Sequence, residues 1–184
     1  YYHGQGVRKN YKQAIKYYRL AANQGYLRAQ YMVGFCYYHG HGAGKDYKQA
    51  AKYFHLAAEQ DHVRAQFRLG YFYFWGKGVK KNYQQAIKYF RLAANQGDED
   101  AQYMLGTCYY HGDGVSINDK QAIKYYRLSA EQNHTGAQYR LGDCYFWGTG
   151  VKTIYHQALK YYRLAANEGH AEAQYMVGYC YYYG

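Results

Sequence analysis

The sequence predicts an all-α fold, a solenoid of antiparallel helical hairpins, and three observations lead to this prediction. The segment at residues 29–40 returns at 65–76, 101–112, 137–148 and 173–184, each copy beginning 36 residues after the last. Self-similarity at a fixed period of this size is typical of repeat arrays. Within each period the apolar residues recur at helical spacing, and the chain contains no proline. Each period is therefore expected to form one helical hairpin.

The period organises residues 1–184 as a single array of about five units, each with two helices. Glycine pairs such as Gly40 and Gly42 end the first helix of a unit, called helix A. Helix A is expected at about 27–39, 63–75, 99–111, 135–147 and 171–183, and helix B at about 11–24, 47–60, 83–96, 119–132 and 155–168. The opening residues, Tyr1 to Gly4, match the end of a unit, and the chain stops at the same phase. We therefore expect this array to be a fragment of a longer one.

Each helix has an apolar face that is expected to pack on its neighbours. On helix A, the small residues Ala29 and Gly34 allow a partner helix to approach closely, and on helix B the equivalent face carries Ala50 and Phe54. One leucine per unit is expected to widen the buried arc of helix B: Leu20, Leu56, Leu92, Leu128 and Leu164.

These residues form motifs that resemble the Sel-one-like repeat, a relative of the tetratricopeptide repeat. The motifs are Ala-x-x-Tyr-Tyr-x-Leu-Ala-Ala at 14–22, Ala-Gln-Tyr-x-Val-Gly-x-x-Tyr at 29–37 and Gly-x-Gly-Val at 76–79. The resemblance implies a right-handed α-solenoid in which helices A line a concave groove. It also implies adaptor functions. The secreted, cysteine-rich branch of the family carries two cysteines per unit, whereas this chain has at most one, which argues against secretion and penicillin-related activities.

The four cysteines, Cys36, Cys108, Cys144 and Cys180, all lie at one phase of the repeat. Equivalent positions in stacked helices are expected roughly 10 Å apart, whereas a disulfide needs Cα atoms within about 7 Å. We therefore expect free cysteines. Free cysteines and the absence of a signal peptide favour the cytoplasm, and no apolar run is long enough for a transmembrane segment.

An aromatic face on helix A, opposite its packed residues, is the predicted partner-binding site. Its members are Tyr31, Phe35, Tyr38, His39, Phe67, Tyr71, Phe74, Trp75, Tyr103, Tyr110, His111, Tyr139, Asp143, Phe146, Trp147, Tyr175 and Tyr179. Exposed aromatic patches are typical of protein–protein sites. The sequence thus favours a scaffold or adaptor that binds a peptide or helix of another protein in an aromatic-lined groove. Thr107 and Asp143 interrupt the face and suggest selectivity for a polar or basic group. The alternative is that these rings pack on one another as additional core.

Helix B carries a basic ridge on its outer edge, and this ridge supports a second hypothesis. Its members are Lys12, Lys16, Arg19, Lys48, Lys52, Lys88, Arg91, Lys120, Lys124, Arg127, Lys160 and Arg163. With a net charge of +11, the ridge could bind nucleic acid or anionic lipid, or could simply be a solvated face. Readers of nucleic acid interleave aromatic rings with cations. Because the sequence is expected to separate the two on opposite faces, it disfavours nucleic acid.

Catalysis, metals and cofactors are not expected. Almost every candidate catalytic residue is repeated four or five times, and no cysteine or carboxylate lies at ligand spacing beside the nine histidines. His62, His134 and His170 are instead expected to cap helix ends near the negative end of the dipole. A third functional alternative is a structural array that self-associates through uncapped ends, since helix A of the last unit ends in Tyr181, Tyr182 and Tyr183.

Overall fold

The computed structural model describes residues 8–184 and is all-helical over that range, with ten α-helices and no strands. The opening residues Tyr1 to Gly4 lie outside the described part. Helices of type A and type B alternate along the chain. They are α1 (Tyr11–Asn23), α2 (Leu27–His39), α3 (Tyr47–Ala58), α4 (Val63–Trp75), α5 (Tyr83–Asn95), α6 (Glu99–His111), α7 (Asp119–Glu131), α8 (Thr135–Trp147), α9 (Tyr155–Asn167) and α10 (Ala171–Tyr183).

Glycine pairs end the A helices and position the loops that follow. Gly40 has a φ of 78° and Gly76 a φ of 68°, the left-handed conformation that stops a helix at low cost for glycine. The second glycine of each pair is required for a different reason, a close approach of two backbone segments. A Cβ on Gly78 would overlap the backbone carbonyl of Tyr47. The loop after α4 therefore lies directly on the first turn of α3.

The chain divides into two compact units, Tyr1–Ala93 and Ala94–Gly184, which we call unit 1 and unit 2. Unit 1 contains α1 to α4 and most of α5, and unit 2 contains α6 to α10. Within each unit, successive helices pack on one another in chain order, as short connections require. The result in each unit is a stack of antiparallel hairpins with a 36-residue repeat.

A glycine on each A helix contacts an aromatic ring on the following B helix, and this contact organises the hairpin. A Cβ added to Gly34 would lie 2.7 Å from the ring of Phe54, and one added to Gly106 would lie 2.5 Å from the ring of Tyr126. The pairs are Gly34 with Phe54, Gly70 with Phe90, Gly106 with Tyr126, and Gly142 with Tyr162. All four rings are fully buried. Glycine is needed at these positions because the ring occupies the space of its missing side chain.

The leucine row on the B helices differs from the expectation. Leu20 is 52% exposed, and Leu56, Leu92, Leu128 and Leu164 are between 36% and 41% exposed. The expectation that these leucines widen the buried arc is therefore wrong. The neighbouring A helices cover the side of helix B that carries alanines and the large ring, and the leucines lie beyond its edge.

Within a hairpin, a buried glutamine of helix A is hydrogen-bonded to the side-chain amide of a glutamine that follows helix B. Gln60 Nε2 donates to Gln30 Oε1 at 2.7 Å in unit 1, and Gln132 Nε2 donates to Gln102 Oε1 at 2.9 Å in unit 2. The equivalent partner of Gln138 would be residue 168, which is a glutamate, and its carboxylate side chain has no N–H to donate. Among the described residues, Gln138 Oε1 is the buried side-chain atom without a hydrogen-bond partner.

Replacing Glu168 with glutamine is expected to supply this missing donor. The free energy of unfolding should rise by about 1 kcal/mol, the usual net value of one such bond. Urea denaturation of the wild-type and variant chains measures the change. The reverse substitution, Gln132→Glu, removes an existing donor and should lower stability by a similar amount. Unchanged urea midpoints in both variants would contradict this explanation of the unpaired Gln138 oxygen.

Candidate partner-binding surface

In unit 1, the predicted aromatic face is partly surface and partly core. Along α4, the rings of Phe67, Tyr71 and Trp75 follow one another at centroid distances of 6.4 and 6.2 Å. Trp75 is 55% exposed, whereas Phe67 is 8% and Phe74 only 6% exposed. Both phenylalanines contact the buried ring of Phe90 on the next helix. Phe67 and Phe74 therefore belong to the core of the hairpin that α4 and α5 form, and they are not available as surface rings.

On α2 the face consists mainly of half-buried rings that contact one another. Phe35 lies 4.2 Å from His39 and 6.3 Å from Tyr31, between ring centroids. Tyr38 packs against the buried ring of Phe72 at 5.7 Å. His39 is exposed at the end of the helix. The rings of Tyr31, Phe35 and Tyr38 are thus only partly accessible, and Trp75 is the most exposed large side chain of this face in unit 1.

In unit 2, Trp147 has the position that Trp75 has in unit 1, and it is 70% exposed. Phe146 packs edge-on against Trp147 and against Tyr155 of the next helix. The other predicted members are half-buried or exposed at the surface of the A helices: Tyr103, Tyr110 and His111 on α6, Tyr139 and Asp143 on α8, and Tyr175 and Tyr179 on α10. Each unit therefore has an exposed tryptophan next to partly buried rings.

Asp143 and Thr107 interrupt the aromatic face because each is a hydrogen-bond partner of a buried tyrosine hydroxyl. Tyr162 donates its hydroxyl hydrogen to Asp143 Oδ1 at 3.0 Å, and the Tyr126 hydroxyl lies 3.5 Å from Thr107 Oγ1. Arg140 Nη1 lies 3.5 Å from the other Asp143 oxygen. Burial raises the pKa of Asp143, and the bond from Tyr162 and the charge of Arg140 act against that rise. Asp143 is thus satisfied inside unit 2, which explains its place in the face without a ligand.

The histidines between the hairpins are N-caps, and the expected location near the negative end of a dipole is wrong. His62 Nδ1 accepts a hydrogen bond from the backbone N–H of Ala65 at 3.2 Å, at the positive end of α4. His134 and His170 cap α8 and α10 in the same way. Each ring also stacks on a tyrosine of the preceding A helix, His62 on Tyr31 at 4.5 Å. Burial lowers the pKa of His62, which favours the neutral ring that the cap requires.

A second set of rings was missed by the sequence analysis. Tyrosines of the A helices stack on tyrosines of the following B helices, as in Tyr73 with Tyr89 at 5.9 Å and Tyr145 with Tyr161 at 5.7 Å. Lysines of the basic ridge lie over the same rings, such as Lys88 over Tyr89 at 5.4 Å. Rings and cations are therefore not separated on opposite faces. The sequence contained a signal for this arrangement, since a tyrosine directly follows a ridge lysine in every 36-residue repeat.

The described cysteines are free, with Cys36, Cys108 and Cys144 buried and Cys180 partly buried. Burial raises the pKa of Cys36 to about 11 and that of Cys108 and Cys144 to about 12, so their thiols stay protonated at neutral pH. Over residues 8–184, no cluster of histidine, cysteine and carboxylate side chains is arranged to hold a metal ion. None of the helices in this range has both the length and the apolar character of a membrane span.

Comparison with known proteins places the chain in a family. The Sel1 repeat model matches residues 1–26, 27–62, 63–98, 99–134, 135–170 and 171–184. A Sel1 repeat protein from Oxalobacter formigenes is 38% identical, with a TM-score of 0.86 over 94% of this chain and 70% of its own. The protective antigen c5321 of uropathogenic Escherichia coli, which displays an SLR fold, is 31% identical with a TM-score of 0.72. The match covers 97% of this chain and 46% of c5321, so the chain spans less than half of that protein.

Cysteine-rich protein B of Helicobacter pylori is 24% identical with a TM-score of 0.57, over 72% of this chain and 95% of its own, and shows the fold alone. A search among curated proteins found no match. The repeat model covers the chain from end to end, and the fold agrees with that of solved repeat proteins. The chain is a member of the Sel1 repeat family.

Proposed function

We propose that the protein is an interaction adaptor that binds a peptide or helix of a partner protein on the aromatic face of its A helices. Sel1 repeat proteins generally act as protein-interaction scaffolds. The observation that supports this particular face is the exposure of Trp75 and Trp147, which lie at the same place in two different units. An exposed tryptophan is costly to leave in water, and its burial by a partner recovers that cost.

Tryptophan is also the residue type that dominates binding energy at protein interfaces. Trp75 lies against Tyr71 and Phe74, which limit its rotation before any partner binds. Trp147 is supported in the same way by Phe146. Such preorganisation lowers the entropy cost of association. The two tryptophans are therefore proposed as anchors, and the half-buried rings around them as the surface that excludes water.

The double substitution Trp75→Ala and Trp147→Ala tests this proposal. Peptides would first be selected against the wild-type chain from a random display library. Loss of two anchors worth about 2 kcal/mol or more together should weaken these peptides at least about 30-fold, measured by isothermal titration calorimetry. A double variant of exposed tyrosines outside the face, Tyr17→Ala with Tyr26→Ala, is the matched control, since these rings are 52% and 57% exposed. Equal losses in both double variants would contradict the proposal.

A further inference from the structure

The charge of the chain is concentrated in unit 1. Residues 1–93 contain 16 lysines and arginines and 3 aspartates and glutamates, a net charge of +13, whereas residues 94–184 contain 7 and 9, a net charge of −2. The overall value of +11 conceals this difference. A strong charge asymmetry between two halves of a chain indicates a polyanionic partner for the basic half.

Part of this charge alternates with aromatic rings along the loop edge of unit 1. Lys45 Nζ lies 5.8 Å from the ring centroid of Tyr47, and Lys77 Nζ lies 5.9 Å from Tyr47 and 5.0 Å from Tyr71. Tyr71 in turn contacts Trp75. We call these five side chains the ring–cation row. The close approach of the loop at residue 78 to the first turn of α3 brings Lys77 over a ring that lies 30 residues earlier in the sequence.

The row is accessible and carries little opposing charge. Lys45 and Trp75 are exposed, and Lys77, Tyr47 and Tyr71 are half-buried. Asp46 is the acidic residue within the row's own sequence segments, and its Oδ1 accepts the backbone N–H of Gln49 as the N-cap of α3. That carboxylate therefore has a structural role, and the ammonium groups of the row remain available to an anion.

We infer that the ring–cation row binds single-stranded nucleic acid. Lys45 and Lys77 contact successive phosphates, and bases stack on Trp75 and on the accessible parts of the two tyrosine rings. Sequence-tolerant binding of single strands combines these two features, a cationic track and aromatic platforms. An acidic peptide would need the cations but would have no use for rings placed between them. The inference concerns a ligand class other than the peptide of the proposed function, and it shares only Tyr71 and Trp75 with the proposed peptide site.

Unit 2 contains a natural counterpart that lacks these features. The equivalent residues, 72 positions later, are Ile117, Asp119, Thr149, Asp143 and Trp147. Both lysines are lost, both tyrosines are replaced by carboxylates, and the tryptophan remains. The two exposed tryptophans are therefore expected to respond differently to a polyanion. They are also the only tryptophans of the chain, so each can be observed by fluorescence.

Fluorescence and anisotropy with the full chain test the inference. A labelled 20-nucleotide oligothymidylate is titrated with the wild type, with Lys45→Gln plus Lys77→Gln, and with Lys48→Gln plus Lys52→Gln, which removes the same charge from the ridge of the same unit. We expect the affinity for the oligonucleotide to fall at least 10-fold in the row variant and less than 3-fold in the ridge variant. The slope of log affinity against log salt should fall by about 1.4 in the row variant, or about 0.7 for each lost phosphate contact.

Single-tryptophan chains provide the second measurement. In the Trp147→Phe chain, oligothymidylate should quench Trp75, and in the Trp75→Phe chain it should leave Trp147 unquenched. Poly-glutamate of the same length should bind the wild type at least 10-fold more weakly than oligothymidylate. No binding at physiological salt, equal losses in the row and ridge variants, or equal affinity for poly-glutamate without quenching would each overturn the inference. The last result would assign the row to acidic polypeptides. The peptide-binding test above is independent, because its control and readout involve no nucleic acid.

Discussion

Replacing Gly106 with alanine is expected to lower the free energy of unfolding by about 1 to 3 kcal/mol, the usual range for an added group in a packed interior. The new methyl group would lie 2.5 Å from the ring of Tyr126, which is fully buried and cannot move away without displacing its neighbours. The same argument applies to Gly34, Gly70 and Gly142. Chemical denaturation of each single variant measures the effect.

Gly178 provides the control for this prediction. It has the same phase of the repeat on α10, but nothing lies within 4 Å of a Cβ placed there. Alanine favours the helix over glycine by up to about 1 kcal/mol, so Gly178→Ala should leave the 184-residue chain as stable as the wild type or slightly more stable. A shorter side chain at residue 126 should partly restore Gly106→Ala, since contacting substitutions are not additive. Similar effects of alanine at Gly106 and Gly178 would show that the ring contact is not the cause.

The substitution Tyr162→Phe is expected to lower the free energy of unfolding by about 1.5 to 3 kcal/mol, the range for a hydrogen bond to a charged group. It leaves the carboxylate of Asp143 half-buried, with Arg140 at 3.5 Å as its remaining charged partner. Because the lost bond stabilises the ionised carboxyl, the pKa of Asp143 should rise further in the variant. The deficit should therefore be largest at neutral pH and should shrink as acid protonates Asp143.

Unit 1 shows how this deficit can be repaired. The positions equivalent to Tyr162 and Asp143, 72 residues earlier, are Phe90 and Tyr71. Phe90 has no hydroxyl, and Tyr71 replaces the carboxylate with an aromatic ring. The double variant Tyr162→Phe with Asp143→Tyr should therefore recover most of the lost stability and lose the pH dependence. Urea denaturation at pH 7 and at pH 4 measures both effects. Equal deficits in the single and double variants would contradict the coupling between the two positions.

Much of the fold could be predicted because the repeat supplies the same local signals several times. Glycine pairs ended the A helices, as in Gly40, because the left-handed conformation is a local property. The B helices end one or two residues before the expected positions, α3 at Ala58. The N–H groups of Gln60 and His62 donate to the carbonyl of Ala57, and these bonds turn the chain away from the helix axis. Periodicity also placed the A-helix glycines and the buried rings correctly on facing sides of neighbouring helices.

The exposure of the aromatic face could not be predicted in the same way. Phe67 and Trp75 are both aromatic members of one helix face, yet Phe67 is buried because the ring of Phe90 reaches it, and Trp75 lies beyond that ring. The ring–cation row was missed for a related reason. Lys77 is far from Tyr47 in sequence, and only the loop conformation brings them together. Such contacts depend on tertiary geometry, which a repeat period alone does not determine.

The location of a bound peptide tests the central claim most directly. A display-selected peptide carrying one photoreactive benzophenone residue would be cross-linked to the wild-type chain, and the adducts would be mapped by mass spectrometry. The proposed adaptor function predicts adducts on the A helices, at and around Trp75 and Trp147. An excess of the same peptide without the photoreactive group should suppress these adducts by competition. Adducts confined to the B helices or to their basic ridge would contradict it.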